Sequence, residues 1–519
     1  MAKIISISSR SIFSDLGLSN TIDKAKKSLQ SLYASDDTPW VIGYSGGKDS
    51  TAVVQLVWLA LEDLPEESRR KPVYVITTDT LVENPIVASW VTHSLDVMGE
   101  KATNSKIPIK PHLIQPDVAE TFWVNLIGKG YPAPRPRFRW CTERLKIKPS
   151  SQFIQRVANE NGEVILLLGT RKAESAVRAA RLKEREKERS DGLSTHPELI
   201  NTLVLSPISD WTNDDVWTFL LRVANPWGHS NKDLMAMYRG ATDDNECPVV
   251  VDTSTPSCGN SRFGCWVCTL VDQDKSLSAM IQNDAEKEWM LPMLEMRNEL
   301  DFRGDEAHAR DRKRRDFRRL GGHLTHYKDR DGNLRLVPGP YTQDSRRYWL
   351  TRLLNVQKQI TGNPATPDSL KNLELISIPE LQEIRRIWVS EKREIEDLLP
   401  DIYEEVLGIP YPGASIDENL LFDASTFSIL KDICEGDRLL YETTRNLLDI
   451  ERQYRLKGAR HGLFDKIETT IRSGFFTDED DALRWHKRMK QVIESEEIKN
   501  VSSRAQLELA IPASEEVGT

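Results

Sequence analysis

Six consecutive residues combine the side-chain types that bind a phosphate chain, namely Ser45, Gly46, Gly47, Lys48, Asp49 and Ser50. They follow an apolar run over 41–44 and precede an apolar pattern of helical period over 51–61. A strand that ends in glycines and then opens a helix presents backbone N–H groups and a positive dipole end to an anion. Only two glycines precede the lysine, so the GxxxxGK(S/T) spacing of a Walker A loop is absent. The segment predicts a phosphate-binding loop, and a Gly-Gly hairpin turn is its structural alternative.

Three later segments carry groups suited to a nucleotide. Asp79 ends the apolar run 73–78 and could orient the ribose, the adenine amine or Mg²⁺; its structural alternative is to cap the next helix. The segment 207–217 either joins this site or is simply a helix start capped by Thr212. The third segment starts after the apolar run 164–168 and contains Gly169, Arg171, Lys172, Glu174 and Arg178. We predict that its two arginines close over phosphates, while Glu174 holds one guanidinium through a bidentate pair.

Four of the six cysteines have a spacing that suits a metal centre, namely Cys141, Cys258, Cys265 and Cys268. A tight triplet and one distant thiolate suit either tetrahedral Zn²⁺ or a [4Fe–4S] cluster, and unligated buried cysteines are the third alternative. Cys247 is a spare ligand, a thiol that could carry persulfide sulfur, or a packed small side chain. Cys434 lies in a helical pattern and is predicted to be in the core.

The elements that must position these residues alternate along the chain. Strands are predicted at 40–44, 73–78, 107–114, 164–169 and 202–205, with helical periodicity between most of them. This order predicts an α/β fold, a mainly parallel sheet with helices on both faces. Ligands of such sheets bind beyond the carboxyl ends of the strands, where the segment 45–50 stands.

The 519 residues divide by pattern into four segments. A helical leader at 1–37 precedes the nucleotide-binding domain at 38–240. A cysteine-bearing insertion with basic helices and a hairpin that turns at Asp331-Gly332 covers 241–361. An acidic helical C-terminal extension follows at 370–519. Residues 366–519 hold 20 basic against 32 acidic residues, so the net charge of −9 belongs to the tail. The sequence has neither a signal-peptide pattern nor a membrane-length apolar run, and the expected location is the cytoplasm.

The order and spacing of four segments resemble the phosphoadenosine-phosphosulfate reductase family of the PP-loop ATP pyrophosphatase superfamily. The segments are SGGKDST at 45–51, DTLVENP at 79–85, GTRKAESAVR at 169–178 and PISDWTNDDVW at 207–217. The resemblance implies an ATP and Mg²⁺ site in which Lys48 and the loop N–H groups hold pyrophosphate. It implies catalytic roles for Lys48, Asp49, Arg171 and Arg178, and nucleotide contacts from 45–50, Asp79, Gly169 and Glu174.

The segment WCTERLKIKP at 140–149 is similar to the cluster-binding segment of adenylyl-sulfate reductases, with Thr142 in place of a second cysteine. This resemblance favours a [4Fe–4S] cluster held by Cys141, Cys258, Cys265 and Cys268. The carboxyl-terminal catalytic cysteine of sulfate reduction is missing, since Cys434 is the last cysteine.

Segments 246–268, 292–298 and 310–319 resemble the DndC family, the sulfurtransferases of bacterial DNA phosphorothioation. The resemblance implies ATP-dependent activation of a DNA phosphate, a cysteine desulfurase as sulfur donor, and other phosphorothioation proteins as partners. Candidate DNA contacts are Arg135, Arg137, Arg139 and the basic run 310–319, whose alternative is a salt-bridged helix face. A tRNA thiolase and a non-catalytic scaffold remain as alternative functions.

Overall fold

A computed structural model of the chain describes most residues between 11 and 488. The described residues are 11–174, 179–180, 192–240, 264–320, 322–329, 331–394, 396–415, 424–455, 460–474, 476, 478–485 and 487–488. Three residues singled out above, Arg178, Cys247 and Cys258, lie outside these ranges.

Six strands form one sheet in the order β3-β2-β1-β4-β6-β5. The strands are β1 (Trp40–Gly43), β2 (Val73–Thr78), β3 (Ile109–Ile114), β4 (Val164–Leu167), β5 (Ser194–Thr195) and β6 (Thr202–Leu205). Every neighbouring pair is parallel except β5 with β6. The five predicted strands and the mainly parallel α/β fold are confirmed; the two-residue edge strand β5 is too short and polar to show an apolar run.

Helices cover both faces of this sheet. They include α1 (Phe13–Ala34), α2 (Lys48–Glu62), α3 (Pro85–Asn104), α4 (Trp140–Thr142), α5 (Lys148–Asn161), α6 (Asn213–Arg222) and α7 (Asn231–Gly240). Trp40 and Ile42 of β1 pack into a core with α1, α2, α3 and α6, while Val41 between them packs with α5 on the opposite face. This alternation is the two-residue period of a strand buried on both sides.

The strand order reverses direction between β1 and β4. From β1 the chain adds β2 and β3 on one side, and it then crosses to place β4 on the other side. Such a switch point opens a crevice at the carboxyl ends of the two central strands, where ligands of parallel sheets bind. The segments 45–50 and 169–174 follow β1 and β4, so the topology brings them to this crevice.

The remaining elements follow the sheet in sequence. The helices are α8 (Lys275–Asn283), α9 (Leu291–Leu300), α10 (Asp305–Lys313), α11 (Gln343–Thr361), α12 (Ile378–Arg386), α13 (Leu398–Leu407), α14 (Ala424–Ile433), α15 (Arg438–Arg455) and α16 (Leu463–Ser473). A two-stranded ribbon pairs β7 (His326–Lys328) with β8 (Leu334–Leu336) and turns at Gly332 (φ +81°), so the predicted hairpin is confirmed. Within the described ranges, no helix is long and apolar enough to cross a membrane.

The chain forms two compact units. The first contains 1–309, 347–384 and 399–413, and the second contains 310–346, 385–398 and 414–519. These units cut the chain differently from the four segments inferred from sequence, whose bounds stay a prediction. The sheet and every described residue of the proposed nucleotide and cysteine sites belong to the first unit.

The basic run 310–319 lies in the second unit, and two of its arginines are engaged there. Arg315 donates from Nε to the carbonyl of Gly339 at 2.7 Å. Arg318 donates to Asp316 and to Glu442, each at 2.7 Å. Two more arginines of the run are also engaged, because Arg312 pairs with Glu479 and Arg319 donates to the carbonyl of Pro338. Binding of this run to DNA stays a prediction. Cys434, in the same unit, is buried as predicted.

Candidate functional site

The loop after β1 has a backbone that requires glycine. Gly46 adopts φ +73°, and a Cβ there would lie 2.4 Å from Cγ2 of Val91. Gly47 is the N-cap of α2 and has no side chain with which to cap the helix itself. The first turn of α2 therefore presents backbone N–H groups and the positive end of its dipole beside the loop. The Gly-Gly pair is part of a strand-to-helix turn, so the hairpin alternative is excluded.

Two serines brace the loop from inside. The Ser50 hydroxyl donates to the carbonyl of Gly47 at 3.0 Å. Its oxygen accepts from the Ser45 N–H at 3.2 Å and lies 3.1 Å from the Ser45 hydroxyl. These bonds fix the loop shape before any ligand arrives, which lowers the ordering cost of binding.

Lys48 is enclosed by Asp49 and by Tyr238, a residue that the sequence did not indicate. Its side chain is 1% exposed, and Nζ lies 3.7 Å from Oδ2 of Asp49. Nζ also stands 5.1 Å from the ring centre of Tyr238 in α7, whose hydroxyl accepts from the Lys48 N–H at 3.3 Å. Tyr238 is 190 residues away in sequence and belongs to no motif, so no sequence signal could have placed it here.

Arg171 reaches back to the loop from the end of β4. Its Nε donates to Oδ1 of Asp49 at 2.5 Å, and Nη2 donates to Oδ2 at 3.3 Å. This is the bidentate fork expected for arginine, but its carboxylate comes from Asp49. Glu174, which is predicted to hold a guanidinium, accepts from the backbone N–H of Arg171 at 3.1 Å. Asp49 is thus the carboxylate that positions Arg171, and the pairing of Glu174 with the other guanidinium, that of Arg178, stays a prediction because Arg178 lies outside the described residues.

Gly169 is the point of closest approach between β4 and α2. A Cβ at this position would lie 2.9 Å from the carbonyl carbon of Asp49 and 3.1 Å from the nitrogen of Ser50. Both neighbours are backbone atoms, so the clash can be relieved only by moving the start of α2.

We therefore expect Gly169→Ala to weaken ATP binding at least tenfold and to destabilise the chain by about 1–3 kcal/mol, the usual cost of overpacking. Calorimetric titration and thermal unfolding would measure both effects. Gly99→Ala is the matched control. Gly99 lies inside α3, and a Cβ there would stand 3.5 Å from Cγ of Pro111, which is an ordinary contact distance. Equal ATP affinity in Gly169→Ala and the wild type would contradict the expectation.

Asp79 does not cap the helix that follows it. The N-cap of α3 is Asn84, whose side chain accepts from the Ile86 N–H. Asp79 accepts from the Leu81 N–H at 2.8 Å and from Gln115 at 3.1 Å. The capping alternative is therefore excluded for Asp79. At the other ambiguous segment, Thr212 does form a capping box with Asp215 at the start of α6.

Three cysteines line one cleft of about 730 Å³ of free space. Cys141 lies on α4, while Cys265 and Cys268 lie on the segment 264–273, which we call the cysteine loop. The loop is anchored to the chain just after β2, because the Trp266 N–H donates to the carbonyl of Val82 at 3.0 Å. The structure thus brings three of the four predicted cluster ligands, from two separate segments of the sequence, to one cleft; the fourth, Cys258, lies outside the described residues.

The surroundings of Cys265 are polar on one side. Its Sγ lies 3.4 Å from the hydroxyl of Thr80 and 3.7 Å from Oε1 of Glu83, and Lys146 pairs with the same Glu83 oxygen at 3.5 Å. Burial, reinforced by the Glu83 charge, raises the pKa of the Cys265 thiol well above its ordinary value. Without a metal this sulfur stays protonated, so it is poorly suited to act alone as a nucleophile.

The described cysteines supply thiolates, which are ligands of both Zn²⁺ and a [4Fe–4S] cluster. In the part of the chain that the structure describes, no three Cys, His, Asp or Glu side chains lie close enough together to hold one metal ion. A tetrahedral Zn²⁺ requires its thiolates at about 2.3 Å from one point, whereas in a [4Fe–4S] cluster each thiolate binds a different iron. The cleft supplies three thiols for either group, and the choice of a [4Fe–4S] cluster rests on the sequence resemblance.

Behind the phosphate loop lies a buried histidine. The ring of His229 stands 3.8 Å from that of Trp90 and 5.4 Å from that of His93. Burial, with His93 as the second cause, lowers the pKa of His229 to about 4. The unfolded chain binds this proton near pH 6.5, so the stabilising contribution is complete above that pH and is lost as the pH falls toward 4.

We expect acidification from pH 6.5 to 4 to lower the free energy of unfolding through this group by up to about 3 kcal/mol. In His229→Gln the thermal midpoint should fall less over the same range, because the titrating group is gone. His308→Gln, at an exposed position in α10, serves as the control. Parallel pH profiles for the wild type and His229→Gln would rule out the assignment.

Part of the chain matches the model of a known protein domain. Residues 39–270 match the model of the phosphoadenosine phosphosulfate reductase domain. An uncharacterized protein of Methanocaldococcus jannaschii is 29% identical over 210 residues, which cover 40% of this chain and 35% of that protein. The chain therefore spans about a third of the length of this curated relative.

Two solved structures are similar to parts of the chain. One is the FMN adenylyltransferase of Candida glabrata in complex with FAD and inorganic pyrophosphate (14% identity, TM-score 0.23, 42% of this chain and 61% of that one). The other is the U34-tRNA thiolase NcsA of Methanococcus maripaludis with its [4Fe-4S] cluster (11% identity, TM-score 0.26, 55% of this chain and 81% of that one).

Proposed function

We propose, from the premise that residues 39–270 form a phosphoadenosine phosphosulfate reductase domain, that the chain is an ATP pyrophosphatase and sulfurtransferase that acts on the DNA backbone. One observation carries the proposal: the end of β2 contacts the residue before the phosphate-binding loop, and the chain just after β2 contacts the three-cysteine cleft. The hydroxyl of Thr77 donates to the carbonyl of Tyr44, directly before the loop, at 2.7 Å. Thr80, three residues later, lies 3.4 Å from Sγ of Cys265.

The activation step suits the loop. A non-bridging oxygen of a DNA phosphodiester attacks the α-phosphorus of ATP, the α–β bridging bond breaks, and pyrophosphate leaves. The same DNA phosphorus can then be attacked by sulfide, and its P–O bond breaks with AMP as the leaving group. Sulfur thereby replaces an oxygen that would otherwise leave poorly.

The described residues have separate tasks in this step. The N–H groups at the start of α2 and Lys48 hold the departing pyrophosphate. Arg171, positioned by its fork with Asp49, is placed to offset charge at the α-phosphate. Mg²⁺ enters with the triphosphate, as this ion usually does in nucleotide sites, and Asp79 is the nearby carboxylate. Arg178 is proposed as a second cation on sequence grounds alone.

The second half of the proposed reaction, the delivery of sulfur, takes place at the cysteine cleft. A cysteine desulfurase would supply the sulfur as a persulfide, whose S–S bond must accept two electrons to release sulfide. A [4Fe–4S] cluster held by Cys141, Cys258, Cys265 and Cys268 would pass those electrons one at a time from an external one-electron carrier, or would supply an iron site for sulfur. The aromatic rings of Phe122 and Trp140, stacked at 5.2 Å beside Cys141, shelter this wall of the cleft from water.

DNA as the acceptor rests on the sequence resemblance, and one surface feature supports it. Arg135 and Phe138 exchange two backbone hydrogen bonds, which makes a tight turn with exposed Arg137 near its tip. Pro134 and Cys141, on either side of this turn, both line the cleft. Phe138 is 44% exposed and Arg139 flanks it. Guanidinium and aromatic groups at a cleft mouth are the contacts that hold phosphates and bases.

The decisive experiment compares nucleic acids from cells with and without this chain. Nuclease digests of DNA and of tRNA are analysed by mass spectrometry, with the Lys48→Ala strain as control. We expect phosphorothioate dinucleotides in DNA only when the wild-type chain and its partner proteins are present. Loss of a thiolated tRNA base, with DNA unchanged, would replace the proposal with the tRNA thiolase.

A further inference from the structure

A buried arginine underlies the cysteine loop. The Arg297 side chain, in α9, is 1% exposed and is among the largest fully buried side chains in the described part of the chain. Burying a guanidinium is costly unless its donors are used. Asp301, one turn later, lies 3.2 Å from Nη1 and offsets the charge.

The other donors of Arg297 point at the cysteine loop. Nε donates to the carbonyl of Cys268 at 3.0 Å, Nη1 to that of Asp272 at 3.3 Å, and Nη2 to that of Val271. Three carbonyl groups within five residues are thus gathered on one planar fork. A regular strand or helix would satisfy these carbonyls internally, so the irregular loop depends on this side chain for its shape.

A second arginine supports the same carbonyl. Arg303 donates to Val271 and to Asp272, and its fork on Asp301 includes an Nε–Oδ1 contact of 3.0 Å. Asp301 therefore lies between two guanidinium groups, and both act on the loop. The arrangement fits arginine in particular, because five donors in a rigid plane can bind several carbonyls and one carboxylate at once.

We infer that Arg297 is the positioning residue of the cluster site: by fixing the carbonyls of Cys268, Val271 and Asp272, it sets where the Cys265 and Cys268 sulfurs stand for iron. The inference rests on the cluster-binding part of the proposed function. Cys268 bonds back to Cys265 through its N–H at 3.0 Å, so the two cysteines move as one unit with the braced carbonyls. Preorganised ligands hold a metal group longer than ligands that must be ordered on binding.

The test uses Arg297→Lys, which keeps the charge but loses the fork. Full-length protein is reconstituted anaerobically, and loss of visible absorption is followed after addition of a ferrous chelator. We expect cluster loss at least tenfold faster than in the wild type. Arg346→Lys is the matched control, because Arg346 is also buried and paired with a carboxylate, that of Glu394, in the second unit. It should lower the thermal midpoint without changing the rate of cluster loss.

Hydrogen exchange of the metal-free chain gives a readout that does not depend on a cluster. Arg297→Lys should raise amide exchange over 266–272 selectively, and Arg303→Lys should do so more weakly if Arg297→Lys fails to fold. Unchanged local exchange, or a cluster-loss rate within twofold of the wild type, overturns the inference. A wild type that takes up no iron defeats the cluster part of the proposed function instead, and the exchange result then still decides the role of Arg297.

Discussion

Lys48→Ala should lower ATP-dependent pyrophosphate release by about 10²–10³-fold or more, the usual effect of removing a preorganised charge from a leaving group. The ammonium group is almost fully buried beside Asp49 and Tyr238, so no solvent cation can take over its position. Radiolabelled ATP and separation of AMP, ADP and pyrophosphate would measure the effect. Appearance of ADP in place of AMP would show cleavage between the β- and γ-phosphates and would contradict the proposed chemistry.

Lys71→Ala is the matched control for this prediction. Lys71 is also buried, pairs with Asp36 at 2.9 Å and stands over the ring of Tyr33. Its loss should lower stability while leaving pyrophosphate release within about threefold of the wild type, since it lies away from the crevice. If both lysine variants lose activity equally, the effect of Lys48 is structural. A wild type that releases no pyrophosphate would favour the scaffold alternative.

The same loop shows how far the sequence could predict the site. Residues 45–50 and the strands around them follow from local patterns, because two glycines before a helix and short apolar runs determine nearby backbone shape. The fork from Arg171 to Asp49 spans 122 residues and does not follow from either motif alone. It depends on β4 lying beside β1, which is a property of the sheet order.

The sequence was enough to predict which of the described cysteines line the cleft. It was not enough to predict that Arg297 supports the cysteine loop. Soft thiolates at close spacing are a chemical signature that a sequence displays directly. Arg297 carries no such signature, since a charged residue in a helix is ordinarily exposed. Only the packed structure shows that its donors are used by the carbonyls of the loop. Thr80 and Glu83 belong to a segment that resembles a nucleotide-binding motif. In the structure both of them contact Cys265.

Cys265→Ala should abolish cluster binding, because it removes one of the thiolates proposed to hold the [4Fe–4S] centre. After anaerobic reconstitution we expect iron to fall from about four atoms per chain to below about one, with loss of the brown colour. Iron and acid-labile sulfide assays together with visible spectra would measure the loss. Cys434→Ala is the control, since Cys434 is a buried cysteine of the second unit, 4% exposed, and should leave the iron content unchanged.

The same variant separates the two halves of the proposed reaction. The phosphate loop is braced by its own serines and by Arg171, and none of these contacts involves the cysteine loop. Pyrophosphate release by Cys265→Ala should therefore stay within about threefold of the wild type, while sulfur incorporation into DNA is lost. Colourless wild-type protein with one zinc per chain would overturn the cluster assignment. Loss of both activities in Cys265→Ala would instead mean that the contact of Thr80 with Cys265 couples the cleft to the nucleotide loop.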